Sequence, residues 1–421
     1  MKFGFAETDI SPRDGMSTMS GYGRRRYAKG VTSPLLLQAV VIEDAAGHPH
    51  ALLAADILGF DRSTTERVRR ALAAEGFAPE RVMLNASHTH FGPPTQYSVT
   101  PAAGPVDPWY MSWLEETAVT TVRRARQELC PAEIRYGSFQ IKLGENRRLL
   151  VDGKIQMRPN PAGHYDQHTV CLWATPVAKD SPETVILAHG CHPVSCAAEG
   201  YSADFPGEFR RCMTSQRAGT HVMFLQGCGA DVNEAPGDGY VRHGGQLARA
   251  VTELLAPQRM QVLDGTVSAA IERAELPLGK RHSRQRLEEW AWGLSSSVFH
   301  SHFAREHLRV PDPRKAIPYT VQAWRCGELA VVALEGEVVS AYGPLARSLA
   351  GGECMVLGYS NAVECYIPTA QIQREGGYEA VDSAFAYGLP APLARSAPAV
   401  VTRTIRATLA RTQAGTVHRN R

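Results

Sequence analysis

The sequence lacks most of the features that would assign a chain to a binding class. Lys and Arg number 45 against 42 Asp and Glu, a net charge of +3 over 421 residues. That is too small an excess to favour nucleic acid or an anionic membrane as partner. Nine cysteines, an odd number with no paired Cys-x-x-Cys, read as reduced thiols rather than a disulfide framework or a second metal site. No run approaches the roughly 18 apolar residues of a membrane helix, and Met1 to Asp9 turns polar too soon for a secretory leader. Walker-type and dinucleotide glycine motifs are missing too, as are internal repeats and low-complexity linkers. These absences lead us to expect a cytoplasmic protein with no stable membrane insertion and no nucleic-acid partner. Oligomeric state is left open.

What is present is an ordinary globular composition, 44% hydrophobic and 21% charged. Leu35 to Glu43 and Pro49 to Ile57 read as strands, Thr64 to Glu75 as an amphipathic helix, and Arg81 to Ala86 as the next strand. That order is a βαβ unit, so its two strands should be parallel. The pattern of an apolar strand followed by a glycine-rich polar turn recurs at Thr184 to Ala188 and at Val222 to Leu225. Further strands are expected near Glu133 to Ile141, Thr169 to Ala174 and Thr266 to Ala274, a hairpin around Cys326-Gly-Glu328, and a last strand at Met355 to Tyr359. We therefore expect a mixed α/β sheet with βαβ units and flanking helices, its site at the C-terminal ends of strands. The chain reads as one domain over 1–421, with a possible subdivision near 260.

Chemistry concentrates in Asn85-Ala-Ser-His-Thr-His-Phe-Gly-Pro-Pro94. Histidines spaced i, i+2 at a strand mouth put both imidazoles on one side of the backbone. A lone His-x-His is a weak metal signal, and satisfied structural histidines are commoner. His192 before Pro193, at a second strand end, and Glu337, at another, strengthen it. Two imidazoles and a carboxylate with a position left for water make a hydrolytic zinc composition. Asp56, ending its own strand, could orient one of the histidines, or simply cap a turn. Arg24-Arg25-Arg26 after Gly21-Tyr22-Gly23 could clamp an acidic group, although a solvated loop is the simpler reading.

Several motifs together resemble the neutral, non-lysosomal ceramidases. Asn85 to Pro93 is similar to their His-Thr-His-Ser-Gly-Pro signature and His192-Pro-Val-Ser to their later His-Pro segment. Ser202-Ala-Asp-Phe-Pro-Gly207 resembles their Ser-Asp-Tyr-Pro-Gly stretch, Gln226-Gly-Cys-Gly-Ala-Asp-Val-Asn their Gln-Gly motif, and Glu335-Gly-Glu337 their Pro-Gly-Glu. Asn361 through Tyr366-Ile-Pro-Thr369 to Gly377-Tyr378-Glu379 resembles their tyrosine-rich segment. The order is kept over nearly the whole chain.

The resemblance implies a zinc ion held by His88, His192, Glu337 and the phenolic oxygen of Tyr366. It makes His90 the acid or base, Tyr378 the donor to a developing oxyanion, and places Arg147, Asn233 and Tyr387 against substrate. A His, His, Glu, Tyr set suits iron or manganese as well. The implied reaction is hydrolysis of a linear, small-molecule amide. A metal-dependent esterase or deacetylase, or a non-catalytic ligand-binding relative, are the alternatives. Phe91 stands where those enzymes carry serine, Gly92-Pro93-Pro94 replaces Gly-Pro-Gly, and Asn233 replaces a serine of their site. A chain ending near residue 421 leads us to expect the catalytic domain without the C-terminal immunoglobulin-like domain. Phe91 and Pro94 are the positions expected to separate its substrate from ceramide.

Overall fold

In the computed structural model the described residues are 1–13, 18–22, 26–99, 104–178, 180–196, 199–235, 239–293 and 298–417. Arg24 and Arg25 lie outside them. Three βαβ units carry the architecture. Strands β1 (Lys2–Asp9), β2 (Leu36–Glu43) and β3 (Pro49–Ala55) run antiparallel in succession, and helix α1 (Arg62–Ala73) then returns the chain to β4 (Val82–Ala86), parallel to β3. Val68 and Leu72 of α1 are buried, the helical spacing that the sequence shows. Strands β5 (Cys130–Gln140), β6 (His168–Pro176) and β7 (Thr184–His189) follow. Helix α2 (Asp204–Gln216) makes the second crossover, to β8 (His221–Gln226), parallel to β7. These eight strands order as β8-β7-β6-β5-β1-β2-β3-β4, with Gln261–Leu263 also paired to β5.

A second sheet contains β9 (Ser268–Pro277), β10 (Ala316–Cys326) and β11 (Leu329–Leu334). Helix α3 (Tyr342–Ala350) supplies the third crossover, to β12 (Cys354–Leu357), parallel to β11. One apolar cluster joins the two sheets: Phe3, Val40, Leu52, Met83, Leu172 and Met223 of the first meet Trp324, Ala333 and Met355 of the second.

The long sheet curls until its outermost strands meet. Asn85 on β4 is fully buried. Its side-chain oxygen accepts from the Gln226 N–H of β8 at 2.7 Å, and its amide donates to Gln226 O, to Gly358 O beyond β12 at 2.8 Å, and to Ser360 Oγ. One amide thus ties the C-terminal ends of all three βαβ units together.

Among the described residues no helix is long and apolar enough to cross a membrane, and all nine cysteines are free thiols.

Two buried histidines away from the strand-end cluster set an acid limit on stability. Burial, reinforced by Arg81, lowers the His50 pKa to about 4, and burial beside His243 lowers His189 to about 3. An unfolded histidine titrates near 6.5, so between those values the unfolded chain binds more protons than the folded one. Stability is therefore complete above about pH 6.5 and is lost progressively as pH falls toward 4. Thermal unfolding followed by circular dichroism should show a midpoint that drops over this window; a flat midpoint would contradict the buried neutral rings.

Candidate active site

The loops after β4, β7 and β11 converge. His88 follows β4 with φ of 63°, a left-handed conformation costing a non-glycine residue on the order of 1 kcal/mol or more. It is held there by its N–H to Ile57 O at 3.0 Å. His192 sits in a two-residue bridge to Asn233, its N–H on Val232 O. Glu337 and Tyr366 are direct partners in a short parallel ladder, Glu337–Val338 beside Tyr366–Ile367. Local pairing therefore places all four side chains, although Tyr366 stands far along the chain from His88.

Protonation follows from hydrogen bonding. His88 Nδ1 lies 2.6 Å from Leu58 O and His192 Nδ1 lies 2.8 Å from Gly229 O. A carbonyl only accepts, so both rings carry the proton on Nδ1 and turn a bare Nε2 inward. Those nitrogens lie 3.2 and 3.3 Å from Glu337 Oε2, an oxygen buried without a hydrogen-bond donor. The other oxygen, Oε1, accepts from Tyr387 Oη at 2.5 Å. Three lone-pair atoms thus face one point with no proton between them, an arrangement that repels itself unless a cation occupies that point. Their spacing is that of tetrahedral ligands about 2.0–2.1 Å from a common centre, which stand roughly 3.3–3.4 Å apart. The residues present fit a zinc-type ion.

His90 differs. Its Nε2 is 3.3 Å from His88 Nε2, and its Nδ1 is buried without a partner, so no backbone carbonyl anchors its ring. Burial, His88 and His192 all push its pKa well below the ordinary value, leaving a neutral ring able to accept a proton. The Nδ1 and Nε2 atoms of His88, His90 and His192 also include a set within 4.8 Å of one another, so distance alone would admit a three-histidine centre. The anchored Nδ1 atoms separate His88 and His192 from His90.

Arg147 is buried. Its Nη2 donates to Tyr366 Oη at 3.1 Å, and its Nη1 faces Asn233 Oδ1 at 3.3 Å and His192 Nε2 at 3.4 Å. Burial and Glu337 raise the Tyr366 pKa well above its ordinary value, against the pull of Arg147. The phenol therefore stays protonated until a nearby cation draws the proton off. Tyr378 packs edge-on to Tyr366 at 5.4 Å, and burial raises its pKa, keeping it a donor.

These groups form one end of a cavity of about 490 Å³; Tyr22, Leu58, Val99, Met157, Val194 and Ala386 complete its walls. Tyr22 lies edge-on over His90 at 4.9 Å, with the Arg26 guanidinium 4.3 Å above its own ring. Arg26 also donates to Ser20 O and His90 O, so it is a structural clamp and not a free cation. Gly21 has φ of 93°, and a Cβ there would come 2.5 Å from the His90 ring; only glycine lets this loop approach.

One of the two readings of Asp56 falls, and the expectation for Phe91 and Pro94 fails. Asp56 does not orient a histidine: it accepts the Leu36 N–H at 2.9 Å and pairs with Arg210 at 2.5 Å, while backbone carbonyls orient His88 and His192. Phe91 and Pro94 are buried, Phe91 in the core under Tyr22, and neither lines the cavity. Sequence reading also missed the hairpin Gly144–Val151 with Lys154–Asn160, which carries Arg147. Its signal was present: Asp152-Gly153 between Leu149-Leu150-Val151 and Ile155 is a two-residue turn, and both residues have positive φ.

No family model and no curated protein matches the chain. Solved structures do. A ceramidase complexed with C2 matches with a TM-score of 0.75 at 16% identity, and the neutral ceramidase from Pseudomonas aeruginosa with 0.75 at 18%. Each match covers 97% of this chain and 74% of the other. The chain has the neutral ceramidase fold. Within that fold, the three βαβ strand ends are where His88, His192 and Glu337 meet, and the hairpin bearing Arg147 closes one side.

Proposed function

We propose that the protein is a zinc-dependent hydrolase of linear amides. The observation that carries this reading is the set of three proton-free atoms, His88 Nε2, His192 Nε2 and Glu337 Oε2, aimed at one point at the end of a cavity. Tyr366 Oη would complete the set. Zinc, when bound, makes hydroxide available near neutral pH and polarises a carbonyl. The chain's own groups do the rest. Tyr378 Oη donates to the carbonyl oxygen as it gains charge, with Arg147 adding a fixed cation. His90, neutral and partly exposed at the cavity, takes a proton at a ring nitrogen and returns it to the departing amine, which leaves poorly unprotonated. Tyr387 holds Glu337 Oε1 so that Oε2 keeps its direction.

The apolar walls, Leu58, Val99, Met157 and Val194, suit an acyl or alkyl group, and the cavity volume is that of a small-molecule site. Asn233 contributes a side-chain amide to the polar end. The nine free thiols support a reducing, cytoplasmic setting. The test is a hydrolysis screen of N-acyl amines of graded chain length, with the matching esters alongside. Amide turnover that falls once the acyl chain outgrows the cavity is expected. Ester turnover without amide turnover would move the protein to the esterase class, and zinc-loaded protein that hydrolyses neither would remove the catalytic reading.

A further inference from the structure

We propose that Glu379 is the positioning residue of this site: it sets the direction of the Arg147 guanidinium and moors the segment that carries Tyr378. The proposal rests on the hydrolase reading above. Glu379 is 2% exposed, and each of its oxygens is taken by a different arginine. Oε1 accepts from Arg147 Nε at 2.9 Å and Oε2 from Arg148 Nη1 at 2.5 Å. With Nε engaged, the Arg147 plane has one orientation, and that orientation sends Nη2 to Tyr366 Oη and Nη1 toward Asn233. Arg148 uses its other terminal nitrogen, Nη2, on Glu375 Oε2 at 3.1 Å and Gly376 O at 2.9 Å, so the same grip holds the chain leading into Tyr378.

Consecutive residues of a regular strand point to opposite faces, so Arg147 and Arg148 should not reach one carboxylate. The strand pairing is irregular between Asn146 and Arg148, and such irregularities re-aim side chains beside functional sites. Glu379 itself lies in the π-helical turn Tyr378–Asp382, a geometry frequent at functional sites. At Gly377 (φ of 86°) a Cβ would come 2.8 Å from Ile155, which shows how closely this turn is seated on the arginine hairpin. Two buried cations need a shared anion, and burial that would raise the Glu379 pKa is overcome by Arg147 and Arg148, which hold it ionised. Without Glu379, Arg147 would keep its charge and lose its direction.

The experiment compares Glu379→Gln, Arg147→Met and the double variant, all zinc-loaded, on the fastest amide of the screen. Glu379→Gln is expected to keep wild-type zinc content and to lose about 10²-fold in kcat with little change in KM. In its crystal structure Arg147 Nη2 should have left Tyr366 Oη. The double variant should be no slower than Arg147→Met alone, because Glu379 acts through that side chain. Multiplying losses in the double variant, or an unmoved guanidinium, would overturn the proposal. If Glu379→Gln does not fold, Glu379→Asp keeps the charge but falls one methylene short of spanning both arginines. The same loss is expected there, and wild-type kinetics would overturn the proposal. Should the wild-type protein hydrolyse no amide, the hydrolase reading fails, and the Arg147 position in the variant crystal still decides what Glu379 orients.

Discussion

His88→Ala and His192→Ala are expected to lose bound zinc and to fall to background hydrolysis, whereas His90→Ala keeps the metal and loses on the order of 10²–10⁴ in kcat. The difference follows from what holds each ring. His88 and His192 have Nδ1 anchored on backbone carbonyls and Nε2 turned toward Glu337; removing either deletes an oriented ligand. His90 has no such anchor, and its neutral ring suits proton transfer. Elemental analysis of the purified variants beside their steady-state rates reads both effects, with roughly one zinc per chain expected for a single four-ligand site. Equal metal loss in all three variants would instead make this a three-histidine centre, with Glu337 holding those ligands from outside.

The second large effect is on stability. Asn85→Ala should destabilise the protein by about 4 kcal/mol, because it leaves the Gln226 N–H and carbonyl buried without their partner and takes one of two donors from Gly358 O, at ~1–3 kcal/mol for each group left unpaired. Against a typical total of ~5–15 kcal/mol, that removes between roughly a quarter and four-fifths of the folding free energy. Ser360→Ala removes the hydroxyl's contacts with Asn85 and Gly358 O but leaves both of those groups bonded to each other, and should cost about 1 kcal/mol. Urea unfolding of both variants separates these costs, and a mild Asn85→Ala would mean that the three strand ends are held mainly by packing.

The βαβ alternation was legible because buried parallel strands read as apolar runs, and α1 shows its helical spacing in Val68 and Leu72. His88, His90, His192 and Glu337 stood out because each follows such a run. What was not legible depends on contacts between distant segments. Asp56 ends a strand as a ligand-orienting carboxylate would, but Arg210 on α2 claims it. Phe91 sits beside two site histidines in sequence and turns into the core, since Gly92 and the prolines bend the chain there. Glu379 closed the Gly377-Tyr378-Glu379 motif with no role of its own: that role arises from an irregularity in a hairpin more than two hundred residues away in sequence, and only the Asp152-Gly153 turn pointed to that hairpin.

The spacing of the converging groups also bears on how such a centre comes into being during synthesis. His88, His192, Glu337 and Tyr366 belong to segments brought together only when the third βαβ unit docks against the first two, through Asn85 and Gly358. A chain still emerging from the ribosome presents both ligand histidines without the carboxylate or the phenol from His192 until Glu337, roughly a third of its elongation. Domains larger than roughly 150 residues commonly pass through partly assembled states, and here those states would have a low affinity for metal. The late arrival of Glu337 and Tyr366 means that a metal centre of the proposed composition would be complete only on a chain whose third βαβ unit has already docked.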